Sequence, residues 1–148
     1  MKKLIAVAVL SASVGALATL AALGAPQGPG PLVISVERLM GEQIDPKAPR
    51  VNNVLLGATQ TANARLVMVS DALEPHYHAE HDEIVMILRG KGDLRLGDIT
   101  REIGRGDVVF IPRGTPHSFV NTGGGFAGAL SFMSPPYDGK DMVPVTSK

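Results

Sequence analysis

Residues 83–111 read EIVMILRGKGDLRLGDITREIGRGDVVFI, and the fold class is decided within them. Four apolar runs, 83–89 (EIVMILR), 93–97 (DLRLG), 99–103 (ITREI) and 107–111 (DVVFI), are separated by glycine and aspartate. Each is long enough for a strand and too short for a helix. Gly97-Asp98 joins two alternating runs and predicts a two-residue hairpin, whose strands should be the most solvent-facing. The run 84–88 is apolar on both parities, so that strand should be covered on two sides, by the opposite sheet and by a second cover. A dimer partner is the simplest such cover.

Similar runs flank this centre at 32–38 (LVISVER), 51–57 (VNNVLLG), 63–70 (NARLVMVS), 117–121 (HSFVN) and 126–133 (FAGALSFM). From Leu32 onward no window shows a convincing 3.6-residue apolar period. About nine short strands predict an all-β sandwich or barrel. Residues 39–50, with two prolines and mixed charge, read as a surface loop.

The N-terminus has a different character. Lys2 and Lys3 precede LIAVAVLSASVGALATLAALGA, which carries no charge. This pattern predicts a secretory signal peptide over 1–24, cut after Gly24, with an uncleaved membrane anchor as the alternative. PQGPGP at 26–31 lies in an extended spacer over 25–31, and the folded domain is expected over 32–148. Such a cut places the protein in the periplasm or outside the cell, and removal of two lysines leaves a net charge of about −2.

The 148 residues contain no cysteine, which excludes disulfides, thiolate metal sites and a cysteine nucleophile. Lys and Arg total 14, Asp and Glu 14, with no basic block. That balance argues against nucleic acid, and against a membrane partner once the signal is removed. The expected partners are a small molecule and a second copy of the chain.

All four histidines fall in two stretches, PHYHAEHDE at 75–83 and PRGTPH at 112–117. His76 and His78 stand two apart, so an extended strand sends both imidazoles to one face, a pincer for an ion. Glu83 can rejoin that face if the intervening residues turn or bulge, and the turn at 114–116 would aim His117 inward. Clustered imidazoles with a carboxylate suit Fe, Mn, Ni, Zn, Cu or Co in the divalent state.

At these residues the chain resembles the cupin superfamily. The first cupin motif, G-x5-H-x-H-x3,4-E-x6-G, is met by His76, His78, Glu83 and Gly90, with Ser70 in place of the opening glycine. The second, G-x5-P-x-G-x2-H-x3-N, is met by Gly106, Pro112, Gly114, His117 and Asn121. The resemblance implies a double-stranded β-helix (jelly-roll) barrel with His76, His78, Glu83 and His117 as metal ligands. It also implies an activity drawn from a wide set. An oxygenase-type oxidoreductase leads; an isomerase, lyase or decarboxylase, or a non-enzymatic sugar or metabolite binder, are the alternatives.

Other residues are placed by phase. Val85 and Ile87 share the parity of Glu83, and Phe119 that of His117, so all three should face inward, lining a dry pocket or forming ordinary core. Arg89 keeps the same parity and would meet an anionic substrate or cap the barrel rim. Tyr77 should point away from the pocket. His81 reads as part of a solvated polar turn or as a proton shuttle. Asn121 should secure backbone near His117, residues 123–125 a flexible turn, and 134–141 a segment lying over the barrel or a neighbour.

Overall fold

The computed structural model describes residues 32–42 and 50–145. The expected signal peptide, the expected spacer and residues 43–49 of the expected loop lie outside the described residues. One helix, α1 (Val36–Glu42), precedes ten strands: β1 (Val51–Ala58), β2 (Asn63–Val69), β3 (Ala72–Tyr77), β4 (Asp82–Arg89), β5 (Lys91–Leu96), β6 (Ile99–Gly104), β7 (Val108–Ile111), β8 (His117–Asn121), β9 (Ala127–Ser134) and β10 (Val143–Pro144). They form two five-stranded sheets, β1-β2-β9-β4-β7 and β10-β3-β8-β5-β6, with antiparallel pairings. This is the jelly-roll architecture that the motifs implied.

Eight of the nine apolar runs become strands, and the first is a correction. LVISVER at 32–38 leads into α1, whose start is capped by the Ser35 side chain accepting from the Arg38 N–H at 3.3 Å. Val36, Leu39 and Met40 stand at i, i+3 and i+4, one helical face. That face packs on Leu66 and Met68, with Val54, Leu56, Leu88 and Phe126 around them. The helix therefore covers the outer side of the first sheet, and residues 39–42 of the expected loop belong to it.

The hairpin falls where predicted, with Leu96 paired to Ile99. Gly97 takes a φ of 58°, the left-handed entry that a two-residue turn with glycine first requires. β6 is the edge strand beyond it, and its first four residues are exposed. On β4 the alternation holds as far as Ile87: Glu83, Val85 and Ile87 face the interior, while Ile84 and Met86 are exposed. α1 covers Leu88 at one end of this strand. The other end is bare. Ile84 pairs with Phe110 of β7 and Phe132 of β9, and Met86 with Val108. All five side chains are exposed.

Candidate metal centre

The two sheets enclose a cavity of about 480 Å³, and the histidines stand in its wall. His76 lies near the end of β3, directly opposite His117 at the start of β8. His78 follows the end of β3, and Glu83 is near the start of β4. The turn before His117 is fixed from two sides. The Gly114 N–H donates to the His78 carbonyl at 2.6 Å, and Gly114 has a φ of 76°, accessible without strain to glycine. Arg113 meets Asp82 through its backbone N–H (2.9 Å), Nε (3.2 Å) and Nη2 (2.7 Å). Those hydrogen bonds hold the Asp82 carboxyl down to about 2 and tie together the stretches that bear the four candidate ligands.

His76, His78 and His117 are all buried, with ring nitrogens within 4.8 Å of one another. Each Nδ1 meets a main-chain carbonyl: His76 at Glu74 (2.8 Å), His117 at Thr115 (3.0 Å) and His78 at Asp141. A carbonyl only accepts, so Nδ1 carries a proton in all three, and the neutral form of each ring has its lone pair on Nε2. Glu83 Oε2 stands 3.8 Å from His78 Nε2 and 3.6 Å from His117 Nε2. Its other oxygen accepts the Ser131 hydroxyl at 2.5 Å. Burial lowers His76 to about 4, and burial also lowers His117. Both imidazoles are therefore neutral near pH 7, the state in which nitrogen can bind a metal. Three Nε2 atoms fit a divalent transition metal, and the oriented Glu83 carboxylate stands beside two of them.

Val85, Ile87 and Phe119 line the same cavity as expected. Arg89 does not. A register shift between Ile87 and Arg89 breaks the alternation, and the exposed guanidinium lies 4.4 Å above the Phe126 ring instead. His81 is also placed differently from the solvated turn expected. It is buried, and its Nδ1–H donates to Asp141 Oδ2 at 2.5 Å. It does not itself line the cavity, and stands behind His78 and Tyr137, which do. Tyr77 stays out of the cavity, as its phase predicts.

Asn121 does secure backbone, though at the end of β8 away from His117. Its amide donates to the carbonyls of Val69, Ser70 and Gly125, and its oxygen accepts from Gly123 N–H. Three groups at the site escaped sequence reasoning. Ser131 could have been found, because it is the polar residue on the inward phase of β9 between Ala129 and Met133. Asp141 and Tyr137 lie in the Pro- and Gly-broken tail, where no period points to them. That tail lies over the barrel. Tyr137 is buried against His78 and His81 at ring distances of 5.3 and 5.4 Å.

The sequence matches the cupin domain family, Cupin_2, over residues 66–132. It is 36% identical over 110 residues to an uncharacterized protein of Aquifex aeolicus (strain VF5), spanning 74% of this chain and 89% of that one. BH2720 from Bacillus halodurans is similar in fold, with a TM-score of 0.63 and 22% identity over 79% of this chain and 90% of that chain. The polyketide cyclase RemF from Streptomyces resistomycificus is also similar, with a TM-score of 0.55 and 28% identity over 71% and 78% of the two chains. Motifs, topology and relatives agree: the chain belongs to the cupin superfamily, its described residues forming one small barrel.

Proposed function

We propose that this protein binds a divalent transition metal through His76, His78, Glu83 and His117 and uses it to hold or transform a small organic molecule. The observation that carries this reading is the convergence of three imidazoles and a carboxylate at one place in a largely apolar cavity, to which Asn53, Glu74 and Ser118 add the remaining polar side chains besides Arg50, Ser131 and Tyr137. Away from that cluster the wall is made of residues such as Val67, Val69, Leu94, Val109 and Ile111. Arg50, at the cavity edge, is already paired with Asp71 at 3.0 Å. A ligand that fits is therefore largely apolar, with one oxygen or nitrogen donor directed at the metal. A free sugar, which needs polar partners along its whole length, fits this wall poorly.

When bound, the metal would supply Lewis acidity or, if redox active, electron transfer to a ligand at an open position. Glu83 would balance its charge, and the apolar wall would exclude water. With His81 committed to Asp141, general acid–base chemistry has few free groups in the cavity. That scarcity favours an oxygenase-type oxidoreductase over an isomerase, lyase or decarboxylase. It equally supports a second reading, a metal-dependent binder without turnover. RemF, a polyketide cyclase, is an enzyme on a similar barrel.

The reading includes export, from the apolar run at 4–25, which N-terminal sequencing of the protein from cells checks. It also includes a homodimer, in which each copy covers the other's bare face around Ile84, Phe110 and Phe132. This apolar patch carries no charge at its centre and is the same on both copies, as a two-fold interface requires.

The deciding experiment is elemental analysis of the purified protein beside His76→Ala and Glu83→Ala. Close to one equivalent of metal in the parent, lost in both folded variants, is the expected result. A stable parent that takes up no metal on reconstitution overturns the reading. Titration of the loaded protein with 1-naphthol and with glucose then tests the ligand chemistry, with binding of naphthol alone expected.

A further inference from the structure

The three histidines are not held alike. His76 and His117 each donate to the carbonyl two residues earlier in the chain. These acceptors come with the local backbone and are present whenever the strands are. His78 has no such neighbour. Its acceptor is the carbonyl of Asp141, 63 residues later, in the segment that follows β9.

Asp141 is itself fixed at this place by four contacts. One carboxylate oxygen accepts the Ala79 N–H at 2.9 Å, and the other accepts the Glu80 N–H at 2.8 Å and His81 Nδ1–H. The fourth is the bond from His78 to its carbonyl. Around it the segment is anchored throughout. Asn63 Nδ2 donates to the Tyr137 carbonyl at 2.8 Å, and Val145 N–H to the Pro75 carbonyl at 3.0 Å. β10 pairs Val143 with Tyr77 and Pro144 with His76. The Tyr137 ring abuts both His78 and His81.

We propose that the C-terminal segment completes the metal centre, with Asp141 as the positioning residue of His78. The proposal rests on the metal-binding reading above. Asp141 clamps the 79–81 turn with its carboxylate, which places its own carbonyl to accept the hydrogen bond from His78 Nδ1–H. With that acceptor in place the ring presents Nε2 to the metal; without it the ring is free to rotate or change tautomer. The site is then assembled from two parts of the chain. Two imidazoles come ready oriented from the barrel strands, and the third is oriented only when the segment after β9 is docked.

The test compares zinc affinity, by competition with a chromophoric chelator, in the parent protein, Asp141→Ala and Asp141→Asn. Asp141→Ala keeps the main-chain carbonyl but removes the carboxylate clamp that places it, so zinc binding is expected to weaken, by up to the roughly 10- to 100-fold that follows loss of an outer partner. Asp141→Asn keeps a side-chain acceptor and should recover part of it. Nitrogen-15 NMR of the metal-free proteins supplies the readout that general destabilisation would not give. The Nδ1–H resonance of His78 should change while those of His76 and His117 stay in place. Equal zinc affinity in parent and Asp141→Ala, or a change in all three histidines alike, overturns the proposal while leaving the metal site standing. A parent that binds no zinc overturns the metal reading and this proposal together. Should Asp141→Ala fail to fold, the His78-selective change in Asp141→Asn decides the matter, and its absence overturns the proposal.

Discussion

The two faces of the sheet β1-β2-β9-β4-β7 differ in a way that is unusual for a β-sandwich. The outer face, under α1, packs round Leu66, which is 0% exposed and the most completely buried large side chain among the described residues. The inner face carries a second packed cluster, in which Val69 and Ala127 meet Phe119 of the other sheet, and beyond it borders open space. Val67, Val69, Val85 and Ile87 all reach the cavity wall. The difference teaches where stability and function are separated. Under the helix the sheet is closed, whereas between the sheets the packed cluster leaves space beside the three cavity-lining histidines.

The largest expected effect breaks the packed side. Leu66→Ala removes a side chain with no room to relax and should cost about 2–5 kcal/mol. Val85→Ala, on the cavity wall, should cost under about 1 kcal/mol, because that side chain already has a void beside it. Urea denaturation of the two variants measures the contrast directly, and equal costs would mean that the cavity is closed in solution.

Acid sharpens the comparison from the hollow side. In the metal-free protein His76 titrates near 4 and His117 is also lowered, whereas an unfolded histidine titrates near 6.5. Between those values the unfolded chain binds protons that the folded chain refuses. The stability contributed by the neutral rings is complete above the unfolded value and is lost as pH falls toward the folded one. For His76 the loss is on the order of 3 kcal/mol. Urea midpoints of the chelator-treated protein should therefore fall across this window, and His76→Asn should flatten the decline.

How much of this was legible depends on whether a residue's role is set by local period. β4 announced its inner face through Glu83, Val85 and Ile87, and the hairpin announced itself through Gly97-Asp98. The four candidate ligands were fixed by motif spacing. α1 was obscured because Leu32, Val33, Ile34 and Val36 are strand-forming types, and the helix is too short to establish a period. Ser35 as a cap, with Val36, Leu39 and Met40 on one face, was the available clue. Arg89 was misplaced by a bulge that parity cannot foresee. Asp141 was invisible because its partners, Ala79, Glu80 and His81, are about sixty residues away and no sequence period connects them.

The smallest effect on the folded monomer is expected on the bare part of the outer face. Phe110 is 59% exposed, so Phe110→Lys should alter the stability of a single copy by no more than about 0.5 kcal/mol. If a second copy covers this patch, light scattering should nonetheless show the dimer of the parent replaced by a monomer. A parent that is monomeric at micromolar concentration removes the dimer from the reading.

β7 adds a consequence of its own. It lies at the open edge of its sheet and carries the exposed Val108 and Phe110, a combination that would ordinarily template fibrils. It is only four residues long, with Asp107 before it and Pro112 and Arg113 after it. A foreign strand adding there meets a charge at one end and a proline without an N–H at the other. The protein can thus keep a sticky surface for specific association while its edge resists runaway aggregation.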